Sequence, residues 1–141
     1  METTAHITRL VLPGLTNRHG SLFGGVALSL MDEAAGIVST RVSRGPCVTA
    51  HIQSVDFEEP IWEGEAISVH AALIGVGRTS MRIKVETWAE CLEEGTRRRS
   101  TAAEFVMVAI DKVGKPRPVP AEAQERLDAQ ADGNAQGEAE G

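Results

Sequence analysis

Between Thr16 and Ile37 the chain reads TNRHGSLFGGVALSLMDEAAGI, which places an amide, an imidazole, small residues and a carboxylate around the start of one apolar run. Asp32 is the carboxylate of interest. Facing a point where water and a substrate carbonyl meet, it would act as general base or nucleophile. Beside Ser29 and Glu33 it could equally belong to the wet face of a helix, and periodicity leaves both readings open. Gly24 and Gly25 precede the helical run. Their missing side chains would let a ligand reach the unpaired N–H groups of a first helical turn, where the positive end of the dipole favours an oxyanion; a flexible helix entry would also use them. Asn17 and His19 lie in the loop feeding that turn, either as plain turn residues or as groups that hold water or a carbonyl.

Other chemistries lack their parts. The chain has no GxSxG elbow, GxxxxGK[ST] loop, GxGxxG or HExxH, and no tyrosine. Cys47 and Cys91 are far apart and outside any metal-ligand spacing, so they read as free thiols. Of 20 acidic and 14 basic residues, six acidic (Glu122, Glu125, Asp128, Asp132, Glu138, Glu140) and one basic (Arg126) fall beyond residue 120. The body is therefore nearly neutral, which argues against duplex nucleic acid as a partner, since that needs a clustered positive face. There is no basic leader followed by an apolar run and no membrane-length apolar stretch, so a cytoplasmic location is expected, with no membrane partner.

These groups need elements to hold them. Gly25 to Val42 is too long and too rich in Ala, Leu and Met for a strand, and predicts a helix apolar around most of its circumference. A short strand is expected at Thr8 to Leu12, and four strands follow the helix. In VTAHIQSVDF, Val48, Ala50 and Ile52 share a face, then the row slips to Val55 and Phe57, predicting a bulge near Ser54. Two half-buried strands present Ile67, Val69, Ala71 and Leu73, and then Met81, Ile83, Val85 and Thr87. A last strand presents Ala103, Phe105, Met107 and Ala109. Arg97, Arg98 and Arg99 read as a solvated hairpin tip, and His51 and His70 as strand residues. Pro116, Pro118 and Pro120 end the sheet. Beyond them a short helix to Gln130 and then a disordered acidic tail are expected. The predicted fold is α+β, an antiparallel sheet curled around one long helix.

The pattern resembles the hotdog-fold acyl-CoA thioesterases. It rests on Asn17, Gly20, the FGG triplet at Phe23 to Gly25 and LMDEAAGI at Leu30 to Ile37, with VTAHIQSVDFEEPIWEGE, GRTSMRIKVETW and GKPRPVP further on, and covers Ile7 to Pro120. Many relatives carry Asp two residues before the Asn, where this chain has Leu15. The resemblance implies a hotdog thioesterase domain over 1–120, with the acidic tail read from composition over 121–141, and hydrolysis of acyl-CoA to coenzyme A and a carboxylic acid. Asp32 would be the catalytic carboxylate and Asn17 an amide acting from the opposing domain. Gly24 and Gly25, with His19, would receive the thioester oxygen. Arg78, Thr79 and Ser80, and also Lys115 and Arg117, would bind the coenzyme A moiety. It implies no metal or redox cofactor, coenzyme A entering as part of the substrate. A single copy would hold only part of the site, so a homodimer or an assembly of dimers such as a hexamer is expected. The alternatives are a non-catalytic acyl-CoA sensor and a hotdog enoyl-CoA hydratase or dehydratase.

Overall fold

The computed structural model describes residues 2–140, with side chains through residue 133. Strand β1 (Thr4–Leu10) is followed by helix α1 (Gly24–Ser43), then β2 (Cys47–Phe57), β3 (Ala66–Val76), β4 (Ser80–Cys91) and β5 (Thr96–Ala109), and finally α2 (Ala121–Glu140). The strands form one antiparallel sheet in the order β1-β3-β4-β5-β2. Helix α1 packs against all five. This is the sheet wrapped around a central helix that the sequence predicts.

The reason lies in the helix. Ala27, Leu30, Met31, Ala34, Ala35, Val38 and Val42 are buried, which is too wide an apolar surface for a flat partner. Against it pack the inward rows of β3, β4 and β5, with Phe105, Met81, Ile83 and Val69 wholly enclosed. Residues of β4 alternate between buried and more exposed positions, as a strand with one wet face must. At the far end Arg44 adopts the left-handed conformation (φ 62°, ψ 35°) and its N–H closes on Thr40 O, after which Gly45-Pro46 stops the helix.

Three expectations are corrected. The first strand runs from Thr4 to Leu10 rather than Thr8 to Leu12, because its inward pair is Ala5 and Ile7 while Leu10 and Leu12 are half exposed. In β2 the bulge near Ser54 is present, with Ser54 at φ 56° and a register shift between Gln53 and Asp56. A second shift between Thr49 and His51 reverses the expected face before it, so that Val48 and Ala50 turn outward. The arginine run lies within β5: Arg98 makes paired 2.8 Å bonds to Glu65, Arg97 is 3.6 Å from Glu90 and Arg99 is 3.9 Å from Glu86. Helix α2 begins at Ala121, as expected, and its backbone runs to Glu140; Gly141 lies outside the described residues. Buried Ala123 and half-buried Leu127 dock the start of α2, and Thr3 Oγ1 donates to Gln130 Oε1.

On the outer face His6 and His70 are register partners on β1 and β3, and their rings stack with centroids 4.3 Å apart. Burial pushes the His70 pKa below the usual imidazole value of 6.5; His6 and Arg97 add to this and Glu86 opposes it. The unfolded chain therefore takes up a proton on His70 before the folded chain does as pH falls. This stabilising contribution is complete above pH 6.5 and is lost as pH falls from there through the folded-state pKa. His70→Gln is expected to remove that component, so the melting temperature of the wild type should fall relative to that of the variant as pH drops from 7.5 to 5. Parallel melting curves across that range would refute it.

Candidate active site

The entry to α1 is built from the loop before it. Asn17 N bonds to Ser21 O at 2.8 Å, Gly20 N to Asn17 O at 3.0 Å and Leu22 N to Ile61 O at 2.7 Å, with Gly20 at φ 87°. The Asn17 side chain braces the same turn. Its Oδ1 accepts from His19 N (2.9 Å) and Ser21 N (3.2 Å), and its Nδ2 donates to Ser21 Oγ (2.8 Å), which leaves one amide hydrogen available. The His19 side chain is exposed at this tip. Phe23 N bonds to the main chain of Leu15 at 3.1 Å, so the Leu at this position leaves that contact intact.

Phe23 then takes the N-cap position in extended conformation (φ −59°, ψ 134°) with no side-chain cap, and the first turn carries no acidic residue. Phe23 O receives Val26 N at 3.0 Å and Ala27 N at 3.2 Å. Among the described residues, Gly24 N–H and Gly25 N–H have no partner. Two donors at an uncompensated helix N-terminus form a seat for an oxyanion. The two glycines differ in surroundings. A Cβ on Gly24 would sit 3.2 Å from the Phe57 ring, whereas one on Gly25 would meet nothing within 4 Å.

A cleft of about 350 Å³ opens beside Gly24, walled by Leu22, Ala27, Phe57 and Ile61 and by Glu58 and Glu59. It lies between the helix entry and the segment joining β2 to β3.

Asp32 is seven residues beyond Gly25, on the same side of α1 and about 11 Å further along its axis at 1.5 Å per residue. It is exposed, and its Oδ1 accepts a hydrogen bond from Thr49 Oγ1 of β2. Among the described residues Asp32 has no cationic partner, and no hydrogen bond joins it to Asn17 or His19. Thr49, the hydrogen-bond partner of Asp32, is a contact that sequence reasoning missed. The second bulge of β2 turns it inward, and a bulge at that point leaves no mark in the apolar pattern.

Of the residues expected at coenzyme A, Arg78 and Thr79 lie in the β3–β4 turn and Ser80 opens β4. Val119 N bonds to Arg78 O and Ala109 N to Thr79 O, at 2.8 and 2.9 Å, so the turn is tied to the segment carrying Lys115 and Arg117. The side chains of Arg78 and Lys115 are exposed. Arg117 is engaged otherwise. It donates to Ile110 O (2.8 Å), Ser43 O (2.9 Å), Ser43 Oγ (3.1 Å) and Pro46 O (3.2 Å), clamping the end of α1. A Cβ on Gly45 would lie 2.6 Å from that guanidinium, so glycine is required for the clamp. Among the described residues no group of three or more His, Cys, Asp or Glu could hold a metal ion, and no helix is long and apolar enough to cross a membrane.

Comparison with known proteins bears on this arrangement. The family described as Thioesterase superfamily matches residues 19–95. An uncharacterized acyl-CoA thioester hydrolase of Zymomonas mobilis is 36% identical over 84% of this chain and 79% of its own length. The acyl-CoA thioester hydrolase YciA of Salmonella typhimurium is 34% identical over 79% of this chain and 86% of its own. A hexameric acyl-CoA thioesterase solved without ligand superposes with a TM-score of 0.81 at 35% identity, covering 97% of this chain and 93% of that one. An acyl-CoA hydrolase from Staphylococcus aureus, solved with butyryl coenzyme A, coenzyme A and coenzyme A disulfide, gives 0.80 at 27% identity, covering 99% and 88%. The family match spans the loop at His19, the FGG helix entry and Asp32, and the solved relatives share the sheet that holds them, so the chain belongs to the thioesterase superfamily with a hotdog fold.

Proposed function

We propose that the protein hydrolyses acyl-CoA to coenzyme A and a carboxylic acid, and that its site is completed by a second copy of the chain. The observation that carries this reading is the pairing of an unblocked helix N-terminus with a threonine-anchored carboxylate on the same helix. Gly24 and Gly25 receive the thioester oxygen and stabilise it as it becomes an oxyanion. Asp32, held through Oδ1 by Thr49, keeps Oδ2 for a water, takes its proton as the water attacks the carbonyl carbon, and returns it to the departing thiolate.

Geometry supports the second copy. General base and oxyanion donor must each lie within about 3 Å of groups on one tetrahedral centre, and the two are about 11 Å apart along α1. A two-fold partner solves this by bringing its own Asp32 to the first copy's Gly24, twice per dimer. The edge strand β2 is available for such a contact, since much of it is exposed. Higher assemblies of dimers, as in the hexameric relatives, fit the same scheme. The remaining amide hydrogen of Asn17, with His19, then steadies the thioester or the water across the interface. Coenzyme A enters only as part of substrate and product, with Arg78, Thr79, Ser80 and Lys115 facing its phosphates and pantetheine arm; Arg117 serves the fold. Residues 1–120 form the catalytic domain, and a location in the reducing cytoplasm suits the thiols of Cys47 and Cys91.

The test is release of free thiol from a panel of acyl-CoA esters by the purified protein. Turnover of at least one ester supports the reading. Binding without turnover would support a sensor, and hydration of an enoyl-CoA without thiol release would support a lyase. Within this scheme Thr49→Val is expected to lower kcat about tenfold at nearly unchanged KM, because it removes one hydrogen bond to a charged group and keeps the shape. A rise in KM alone would place Thr49 in substrate binding instead.

A further inference from the structure

Resting on the acyl-CoA reading above, we infer that the cleft beside Gly24 selects acyl groups by charge, accepting neutral aliphatic chains and rejecting those that end in a carboxylate, with Glu58 and Glu59 as the discriminating residues. The cleft adjoins the N–H groups that receive the thioester oxygen, so the acyl chain leaving that carbonyl enters it. Its volume of about 350 Å³ is that of a small-ligand pocket. Leu22, Ala27, Phe57 and Ile61 give an aliphatic chain apolar surface to cover.

Two carboxylates share that lining. Their backbone is fixed: Glu58 N and Glu59 N approach Ser100 O at 2.7 and 3.4 Å, and Ser100 Oγ donates to Glu59 O at 2.5 Å. Neither forms an ion pair among the described residues. The cation near them, Arg98, holds Glu65 with two 2.8 Å bonds and Pro60 O with a third at 3.1 Å. Any group inside a cleft of this size lies within a Debye length of both glutamates, whose exposed side chains leave the repulsion open to screening by salt. A terminal acyl carboxylate would therefore meet like charge while losing water, and a methyl end would meet neither penalty.

The test compares two esters of nearly equal shape, 5-methylhexanoyl-CoA and glutaryl-CoA, in which an isopropyl group replaces a carboxylate. The wild type is expected to favour the neutral ester by about 100-fold in kcat/KM, through repulsion and desolvation together. Glu58→Gln with Glu59→Gln should reduce that ratio about tenfold, and raising the salt should shrink it in the wild type but not in the double variant. Both side chains are exposed, so the variant keeps its fold, which its melting curve checks. A wild-type ratio near one, or a ratio that neither the glutamines nor salt alters, overturns the inference while thiol release from the neutral ester still upholds the hydrolase. Release from neither ester, nor from any ester of the wider panel, overturns the hydrolase itself.

Discussion

Asp32→Asn is expected to lower kcat/KM for thioester hydrolysis about a thousandfold, within the range that general-base catalysis supplies, while leaving the melting temperature nearly unchanged. The stability half follows from placement. Asp32 is exposed on α1, and the asparagine amide oxygen still accepts the Thr49 hydroxyl, so packing and the hydrogen bond both survive. The activity half follows from chemistry, because a neutral amide cannot take a proton from water at neutral pH. The pair of measurements separates roles. A variant that keeps full activity removes Asp32 from the mechanism. A variant that loses activity and stability together would make Asp32 a structural residue, as the wet-face reading of the helix has it.

The sequence exposed much of the fold and less of the site. Strands β3, β4 and β5 alternate cleanly because each buries one face, and α1 stands out because its apolar residues cover most of a cylinder. Strand β2 hid its register: apolar alternation reports the inner face only while pairing is regular, and two shifts in eleven residues erase that information. Thr49 was hidden with it. The arginine run looked like a loop because charge was read without its partners, Glu90, Glu65 and Glu86, which come from elsewhere in the chain. The structural bonds of Arg117 were hidden for a similar reason, since nothing local reveals that Ser43 and Pro46 lie beneath it. Asp32, Gly24 and Gly25 could be picked out only because their joint spacing resembles the thioesterase motif, periodicity alone leaving Asp32 open between solvent and chemistry.

That spacing leads to the second large effect. Gly24→Pro should keep the fold and lower kcat about a hundredfold or more, the usual loss for one oxyanion donor. Gly24 is the first helical position, where proline's fixed φ fits and no intrahelical bond is lost, and Phe23 already has the extended ψ of 134° that a following proline demands. The new ring presses on Phe57, whose half-exposed side chain can yield. Gly25→Ala is the control: it keeps both N–H groups and adds a Cβ that meets nothing within 4 Å of the protein, so a smaller loss there isolates the donor from bulk. The two inactive variants together then test the shared site. If Asp32 of one protomer serves Gly24 of the other, a mixed dimer of Asp32→Asn and Gly24→Pro chains has one site carrying both lesions and one carrying neither. Random co-assembly makes half the dimers mixed, so about a quarter of wild-type activity should return on refolding the two together. If both groups served one site within a chain, every site would carry one lesion, and mixing would restore nothing.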